Sequence, residues 1–391
     1  MNRLKVFVSS TCYDLSQLRT DLQEFINDAG HTSILSEYNN FPVNPQLSTI
    51  ENCIKSVKDN ADILILIVGN RYGSMLDNGK SITNTEFLTA QEKGIPVYCF
   101  IEKRTLHALD FWRDNKDGNF DSFVDNKKIF EFVENIRNDS KIWTFEFERA
   151  QDIIATLKAQ FSYLFKNSLR IKSIFENQIP EYFKLSLSNQ ALKILIEKPD
   201  YYEYAFFIQT WVDEIEKKRD FYNNIKYALL HEPKHYVHTL KEIPTWAQER
   251  LASLLNISSS LNNLINVALP EFINEPGIPS DLRGLNYVSR TYANMFERFV
   301  IWKIDTNSTI LIEKHQKISK SLSNMAKNLI NEVWDAPFQS FKAFSEAAKR
   351  YSKGERNIQV VANLKLTLDP DEMKNLENDI EALKIDFERD I

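Results

Sequence analysis

A set of polar and charged residues in this sequence falls where predicted strands end or a predicted helix begins. They are Ser9, Ser10, Thr11, Glu37, Arg71, Tyr72, Ser81 and Glu86. Hydroxyls close to a helix N-terminus can hold a phosphate or a ribose, an arginine can pair with a phosphate through two hydrogen bonds, and a tyrosine ring can stack on a base. The carboxylate of Glu86 is a candidate nucleophile or stabiliser for a reaction at a ribose C1′. Together these residue types predict a nucleotide site.

The elements that must position these residues alternate between strand and helix over residues 1–168. We predict strands at Leu4–Val8, His31–Tyr38, Ala61–Val68, Ile95–Ile101 and Ile142–Phe147. We predict helices over 15–26 with Asp14 as N-cap, from Asn44-Pro45 to about Lys58, and at Asn84–Lys93, Phe120–Arg137 and Glu148–Lys166. Strands that alternate with helices predict a doubly wound α/β domain with a parallel five-stranded sheet.

The segment Ala61–Val68 is almost wholly apolar, which is typical of a parallel strand covered on both faces. In such sheets, ligands bind beyond the carboxyl ends of the strands, where the strand order reverses. We therefore expect the polar residues to gather at that edge of the sheet.

Residues 169–391 have mostly helical spacing, with prolines such as Pro337 expected between helices and a short strand expected over 357–368. The chain has only 9 glycines, and six of them lie before residue 120. Because glycine serves tight loops and close approach to ligands, we expect the ligand site in the N-terminal domain.

The overall composition argues against several classes of partner. The net charge of -6 gives no reason to expect a nucleic-acid or membrane partner. Three widely spaced cysteines without a CxxC pair indicate reduced thiols, and no membrane span or signal peptide is recognisable, so we expect a cytoplasmic protein. The spacing of His231, His235 and His238 follows no zinc motif, and we predict no metal site.

Several of these residues together resemble a known family. They are the string Val6-Phe7-Val8-Ser9-Ser10-Thr11, Asp14 and Arg19, Asp62 with Gly69-x-Arg71-Tyr72-Gly73, and Ser81, Glu86, Ala90 and Gly94-x-Pro96. The combination resembles a bacterial domain family of unknown function, domain of unknown function 4062, over about residues 3–105. That family is similar to Toll/interleukin-receptor (TIR) domains and to nucleoside deoxyribosyltransferases, which share a flavodoxin-like sheet.

The resemblance implies a function that the residues alone do not. In the enzymatic relatives, a glutamate early in the helix before the fourth strand carries cleavage of an N-glycosidic bond, which places that role on Glu86. A transferase aspartate is replaced here by Lys80, which argues against a plain transferase. The resemblance therefore implies an NAD-cleaving effector of antiviral defence, with NAD as substrate and no further cofactor. Residues 169–391 would then sense a trigger or partner protein and assemble a homo-oligomer.

Each of these functional interpretations has a structural or non-catalytic alternative. Thr83 and Glu86 have the spacing of a helix capping box, in which the glutamate bonds back to the backbone amide of Thr83. The segments Ser9–Thr11 and Arg71–Gly73 can be ordinary turns. A TIR-like sheet can also serve as a non-catalytic docking module that binds a partner protein or a nucleotide signal.

Overall fold

The protein is described here from a computed structural model. It describes residues 3–389 apart from 12–13, 78, 139–141, 230–234, 276–277 and 361–363. The chain divides into two compact units, Met1–Leu169 and Arg170–Ile391. Within the described ranges, no helix has both the length and the apolar character that crossing a membrane requires.

The N-terminal unit contains a parallel sheet, which among the described residues consists of β1 (Lys5–Ser9), β2 (Thr32–Ile34), β3 (Ile63–Val68), β4 (Val97–Glu102) and β5 (Thr144–Phe147). The strand order is β2-β1-β3-β4-β5, so the order reverses between β1 and β3. Phe7 of β1 lies opposite Ile34 of β2 on one side and Leu64 of β3 on the other. This confirms the predicted five-stranded parallel α/β sheet, and the order is that of flavodoxin-like folds.

Helices cover both faces of this sheet. They are α1 (Ser16–Asp28), α2 (Thr49–Asn60), α3 (Ile82–Lys93), α4 (Lys103–Asp114), α5 (Lys128–Asn138) and α6 (Ala150–Asn177). Successive strand residues point to opposite faces. Val6 and Val8 therefore pack in the core with residues of α1 and α6, whereas Phe7 packs in the core with residues of α2 to α5. All six residues of β3 are buried, as its apolar sequence predicts.

Several predicted helix boundaries are wrong. Helix α2 begins at Thr49 rather than at Asn44-Pro45, because Ser48 and Glu51 form a capping box while Asn44 is held in the preceding loop by Asn52. Helix α4 was not predicted, and the helix expected over 120–137 begins only at Lys128. The end of α3 is confirmed, since Gly94 closes it in a left-handed conformation with φ of 73°.

The C-terminal unit is helical and begins within α6. Its further helices are α7 (Glu181–Ser186), α8 (Asn189–Glu197), α9 (Tyr202–Glu216), α10 (Arg219–Lys226), α11 (Glu242–Asn263), α12 (Leu269–Phe272), α13 (Leu282–Asn307), α14 (Gln316–Met325), α15 (Lys327–Ser352) and α16 (Pro370–Arg389). One π-helical turn, Leu264–Ala268, follows α11, and a short 3₁₀ turn, Glu313–His315, precedes α14. Among the described residues of this unit, one apolar core joins these helices and is centred on α13, with residues such as Tyr292, Phe296 and Phe299.

Two expectations for this unit are wrong. Pro337 lies inside α15 rather than between helices. The stretch 357–368 has no strand in its described residues, 357–360 and 364–368. Within this stretch, Thr367 contacts α15 instead: its backbone amide and its hydroxyl both donate to the carboxylate of Glu332.

Candidate active site

Glu86 lies on α3 with its side chain against the carboxyl end of β1. The hydroxyl of Ser9 donates a hydrogen bond of 2.5 Å to Oε2 of Glu86. Both residues are buried, with exposures of 1% for Ser9 and 5% for Glu86. The contact follows from strand alternation, because Ser9 points to the same face as Phe7, which is the face that α3 covers.

The capping-box reading of Glu86 is wrong. Helix α3 is capped by Ser81, whose hydroxyl accepts a hydrogen bond from the backbone amide of Asn84. Glu86 therefore lies in the second turn of α3, not in the first, and its carboxyl bonds to Ser9 rather than to the amide of Thr83. The side chain of Glu86 therefore does not cap its own helix and instead connects α3 to the sheet.

The environment of Glu86 raises its pKa to about 7. Burial is the main cause, since it disfavours the charged form, while the hydrogen bond from Ser9 and the positive charge of Arg19 act in the opposite direction. A carboxyl with this pKa is present in both protonation states at neutral pH. Such a group can accept or donate a proton during a reaction under physiological conditions.

Arg19 lies buried on the opposite face of β1. Its guanidinium binds both carboxylate oxygens of Glu37, the hydroxyl of Ser10 at 2.7 Å and the carbonyl oxygen of Val8 at 3.2 Å. Half-burial raises the pKa of Glu37, but the hydrogen bond and the charge of Arg19 outweigh it, so the net pKa lies below its usual value. Glu37 is therefore ionised at neutral pH and balances the buried cation.

The hydroxyls of the first loop thus serve different partners. Ser9 faces α3 and bonds Glu86, whereas Ser10 faces α1, accepts a hydrogen bond from Arg19 and donates one to the carbonyl of Thr11. Oγ1 of Thr11 is buried and has no hydrogen-bond partner among the described residues. We predicted that these three hydroxyls together hold a phosphate or a ribose, but those of Ser9 and Ser10 are hydrogen-bonded within the protein.

The loop after β3 closes over the carboxyl edge. Arg71 is exposed, whereas the ring of Tyr72 is buried in the core and its backbone amide donates to Asp125. Thr11, Arg71, Tyr72, Ser81 and Thr83 help to line a cavity of only about 10 Å³. A cavity of that volume barely admits one water molecule. In this conformation no nucleotide fits there, and the Tyr72 ring is not available for stacking.

A further carboxyl, that of Glu102, lies near this edge at the end of β4. Burial raises the pKa of Glu102; Asp14 adds to this effect and Arg104 opposes it. The hydroxyl of Thr105 donates to the carbonyl of Gly69, which ties the start of α4 to the loop after β3. The carboxyl edge therefore carries Glu37 in the turn after β2, Glu86 on α3 and Glu102 at the end of β4.

The structure brings Ser9, Ser10, Glu37 and Glu86 into one hydrogen-bonded arrangement through Arg19 and the end of β1. No role in the site was predicted for Arg19 from the sequence. A signal was present, because Arg19 falls on the apolar face of α1 at helical spacing from Leu15, Leu22 and Ile26. A buried arginine on such a face needs a carboxylate partner.

Among the described residues, no group of three or more histidines, cysteines, aspartates and glutamates could hold a metal ion. Of the histidine series, His231 lies outside the described residues. Cys12, next to the first loop, also lies outside them.

The fold and the site together define a doubly wound α/β domain with a buried glutamate at its switch point. Residues 5–162 match the family described as Domain of unknown function (DUF4062). The match covers most of the N-terminal unit and agrees with the resemblance that the sequence motifs predict. No curated protein and no solved structure matches the chain.

Proposed function

We propose that the N-terminal unit cleaves the N-glycosidic bond of NAD or a related nucleotide, with Glu86 as the reacting residue. The observation that carries the proposal is the buried Glu86 carboxyl, held by Ser9 at the switch point of the sheet and with a pKa of about 7. Ligands of doubly wound sheets bind at this point. Burial often shifts the pKa of a catalytic carboxyl towards 7.

The proposed reaction needs few residues besides Glu86. Ser9 fixes Oε2 of Glu86, and the ionised carboxylate attacks C1′ of the ribose or stabilises the positive charge that develops there. The bond from C1′ to the nicotinamide nitrogen breaks, and its electron pair neutralises the cationic ring, so no acid is needed for the leaving group. In the covalent route, water then adds to C1′, the bond from C1′ to Glu86 breaks, and the carboxylate that is released takes the proton of the water. In the route without a covalent bond, water adds to the cationic C1′ and gives its proton directly to the Glu86 carboxylate, whose pKa of about 7 suits it as a base.

The small volume of the cavity beside Thr11 and Tyr72 supports a closed resting conformation, in which this crevice must open before the nucleotide binds. Gly73 has φ of 83° and lies against Thr11, where an added Cβ would come within 3.2 Å of the threonine methyl group. We propose that the loop from Gly69 to Gly73 moves away from Thr11 on activation. Arg71, which is already exposed, would then be able to bind a phosphate of the substrate.

We propose that residues 169–391 receive the trigger, from a partner protein or through assembly of a homo-oligomer, and that the protein acts in the cytoplasm. Depletion of NAD on activation would make it an effector of antiviral defence. The helical architecture of the C-terminal unit supports this sensing or assembly role.

The test is release of nicotinamide from NAD by the purified full chain, alone and with assembly imposed by a fused oligomerising peptide. We expect release by the wild type and its loss in Glu86→Gln. Glu92→Gln is the matched control, because Glu92 lies on the same helix but is exposed. Equal inactivity of wild type and Glu86→Gln in every condition, with cellular NAD unchanged on expression, would contradict the proposal.

The closed crevice also favours a second candidate, a non-catalytic module that docks a partner. Toxicity with intact nucleotide pools, together with dependence on a neighbouring protein, would support this alternative.

A further inference from the structure

The guanidinium of Arg19 contacts the residues that precede and follow Ser9 in the chain. It donates to the carbonyl oxygen of Val8 and to the hydroxyl of Ser10, which are the two neighbours of Ser9. Its side chain is only 2% exposed, and a buried guanidinium with several fixed donors is a rigid clamp. The carboxyl end of β1 is therefore held from the face opposite to Glu86.

Glu37 fixes the clamp itself. Nε and Nη2 of Arg19 bind the two carboxylate oxygens of Glu37 in a fork, which sets the plane of the guanidinium and directs Nη1 at the strand. Because Glu37 follows β2, the ion pair also ties the ends of β1 and β2 together.

We propose that Arg19, locked by Glu37, is a positioning residue for Glu86: it holds Val8 and Ser10 so that the Ser9 hydroxyl between them stays directed at the Glu86 carboxyl. This inference rests on the proposed function of Glu86. It assigns the ion pair a role in aligning the reacting carboxyl across the sheet, in addition to holding two strand ends together.

The inference is tested by a double-mutant cycle with Ser9→Ala and Arg19→Lys. Lysine keeps the positive charge but not the fork, so it cannot hold Glu37, Val8 and Ser10 at once. If Arg19 acts through Ser9, each single change releases the same hydrogen bond to Glu86. The double variant should then resemble Ser9→Ala alone, because coupled residues do not show additive effects.

The primary readout is the pH at which Glu86 is half ionised, followed by NMR on protein labelled with ¹³C at the glutamate carboxyls. The signal that disappears in Glu86→Gln identifies the residue. We expect both single variants to raise this midpoint by about one pH unit, since a hydrogen bond to the ionised carboxylate is lost, and the double variant to raise it no further. A second readout, kcat for nicotinamide release, should fall by on the order of 10²-fold in each, with KM little changed.

Glu37→Gln is a milder variant in case Arg19→Lys fails to fold. It weakens the fork that locks the guanidinium, so the Ser9 hydrogen bond should loosen and the midpoint of Glu86 should rise. A fall would show that Glu37 acts on Glu86 only through charge and not through the position of Arg19. Arg113→Lys and Glu134→Gln are the matched controls, because these residues form an ion pair in the same unit without contact to β1. A midpoint in Arg19→Lys or Glu37→Gln equal to that of the controls, or additive shifts in the cycle, would overturn the inference. If the wild type releases no nicotinamide, the proposed function fails, while the titration still decides whether Arg19 positions Glu86.

Discussion

The Ser9 hydroxyl and Oε2 of Glu86 are 2.5 Å apart, and their hydrogen bond joins the carboxyl end of β1 to the second turn of α3. The bond is made to a carboxyl whose pKa burial raises to about 7. Because the strand order reverses beside β1, the pair lies where a doubly wound sheet binds its ligand.

Ser9→Ala should make Glu86 harder to ionise. The Ser9 hydrogen bond lowers the pKa of Glu86, so its loss should raise the pKa further above its ordinary value. We expect the rise of nicotinamide release with pH to move up by about one pH unit. Ser33→Ala is the control, since Ser33 is a buried serine of β2 that bonds Asn27 instead. Identical pH profiles for wild type and Ser9→Ala would show that the bond does not act on Glu86.

Glu86→Gln should change how stability depends on pH. Unfolded Glu86 ionises near the ordinary value of 4.5, whereas folded Glu86 keeps its proton up to about 7. The wild type therefore loses stability relative to the variant as pH rises between these values, by about 3 kcal/mol in total. Denaturant unfolding at pH 4 to 8 measures the difference. A constant difference across this range would contradict the raised pKa.

Gly73→Ala should destabilise the N-terminal unit more than Gly30→Ala. Both positions have positive φ, 83° and 84°, which costs an alanine about 1 kcal/mol. Only at Gly73 would the new methyl group meet a neighbour, Thr11, at 3.2 Å. Free energies of unfolding from urea titration make the comparison. Equal losses would mean that the loop after β3 does not pack against Thr11 in solution.

Lys303→Met tests the interior of the C-terminal unit. Burial, together with the charge of Lys327, lowers the pKa of Lys303 from 10.5 to about 8. The folded chain therefore binds fewer protons than the unfolded chain between these values, and the wild type should gain stability relative to the variant as pH rises from 8 to 10.5. Thermal unfolding over this range measures the gain. Lys320→Met, at an exposed position of α14, should give no such trend.

The sheet could be predicted because each strand carries its signal locally. The six apolar residues Ile63–Val68 need cover on both faces, and only a parallel sheet between helices supplies it. The two faces of Ser9 and Ser10 also follow from strand alternation, although the hydroxyls were predicted to act together. Arg19 was detectable as a cation on an apolar helix face.

Other features depend on contacts that are distant in the sequence. Tyr72 is buried because its loop is held by Asp125, which lies 53 residues further along the chain. The choice of Ser81 over Thr83 as the cap of α3 accompanies a bridge between Ser81 and Met75 that closes the preceding loop. Both residues are good caps, so local preference does not decide between them.

The most direct test of the central claim compares nicotinamide release from NAD by wild type, Glu86→Gln and Glu92→Gln under imposed assembly at pH 7. If Glu86 reacts at C1′, its variant should be slower by ~10²-fold or more, while Glu92→Gln keeps the wild-type rate. Equal rates in all three proteins would contradict the assignment of Glu86 as the reacting residue.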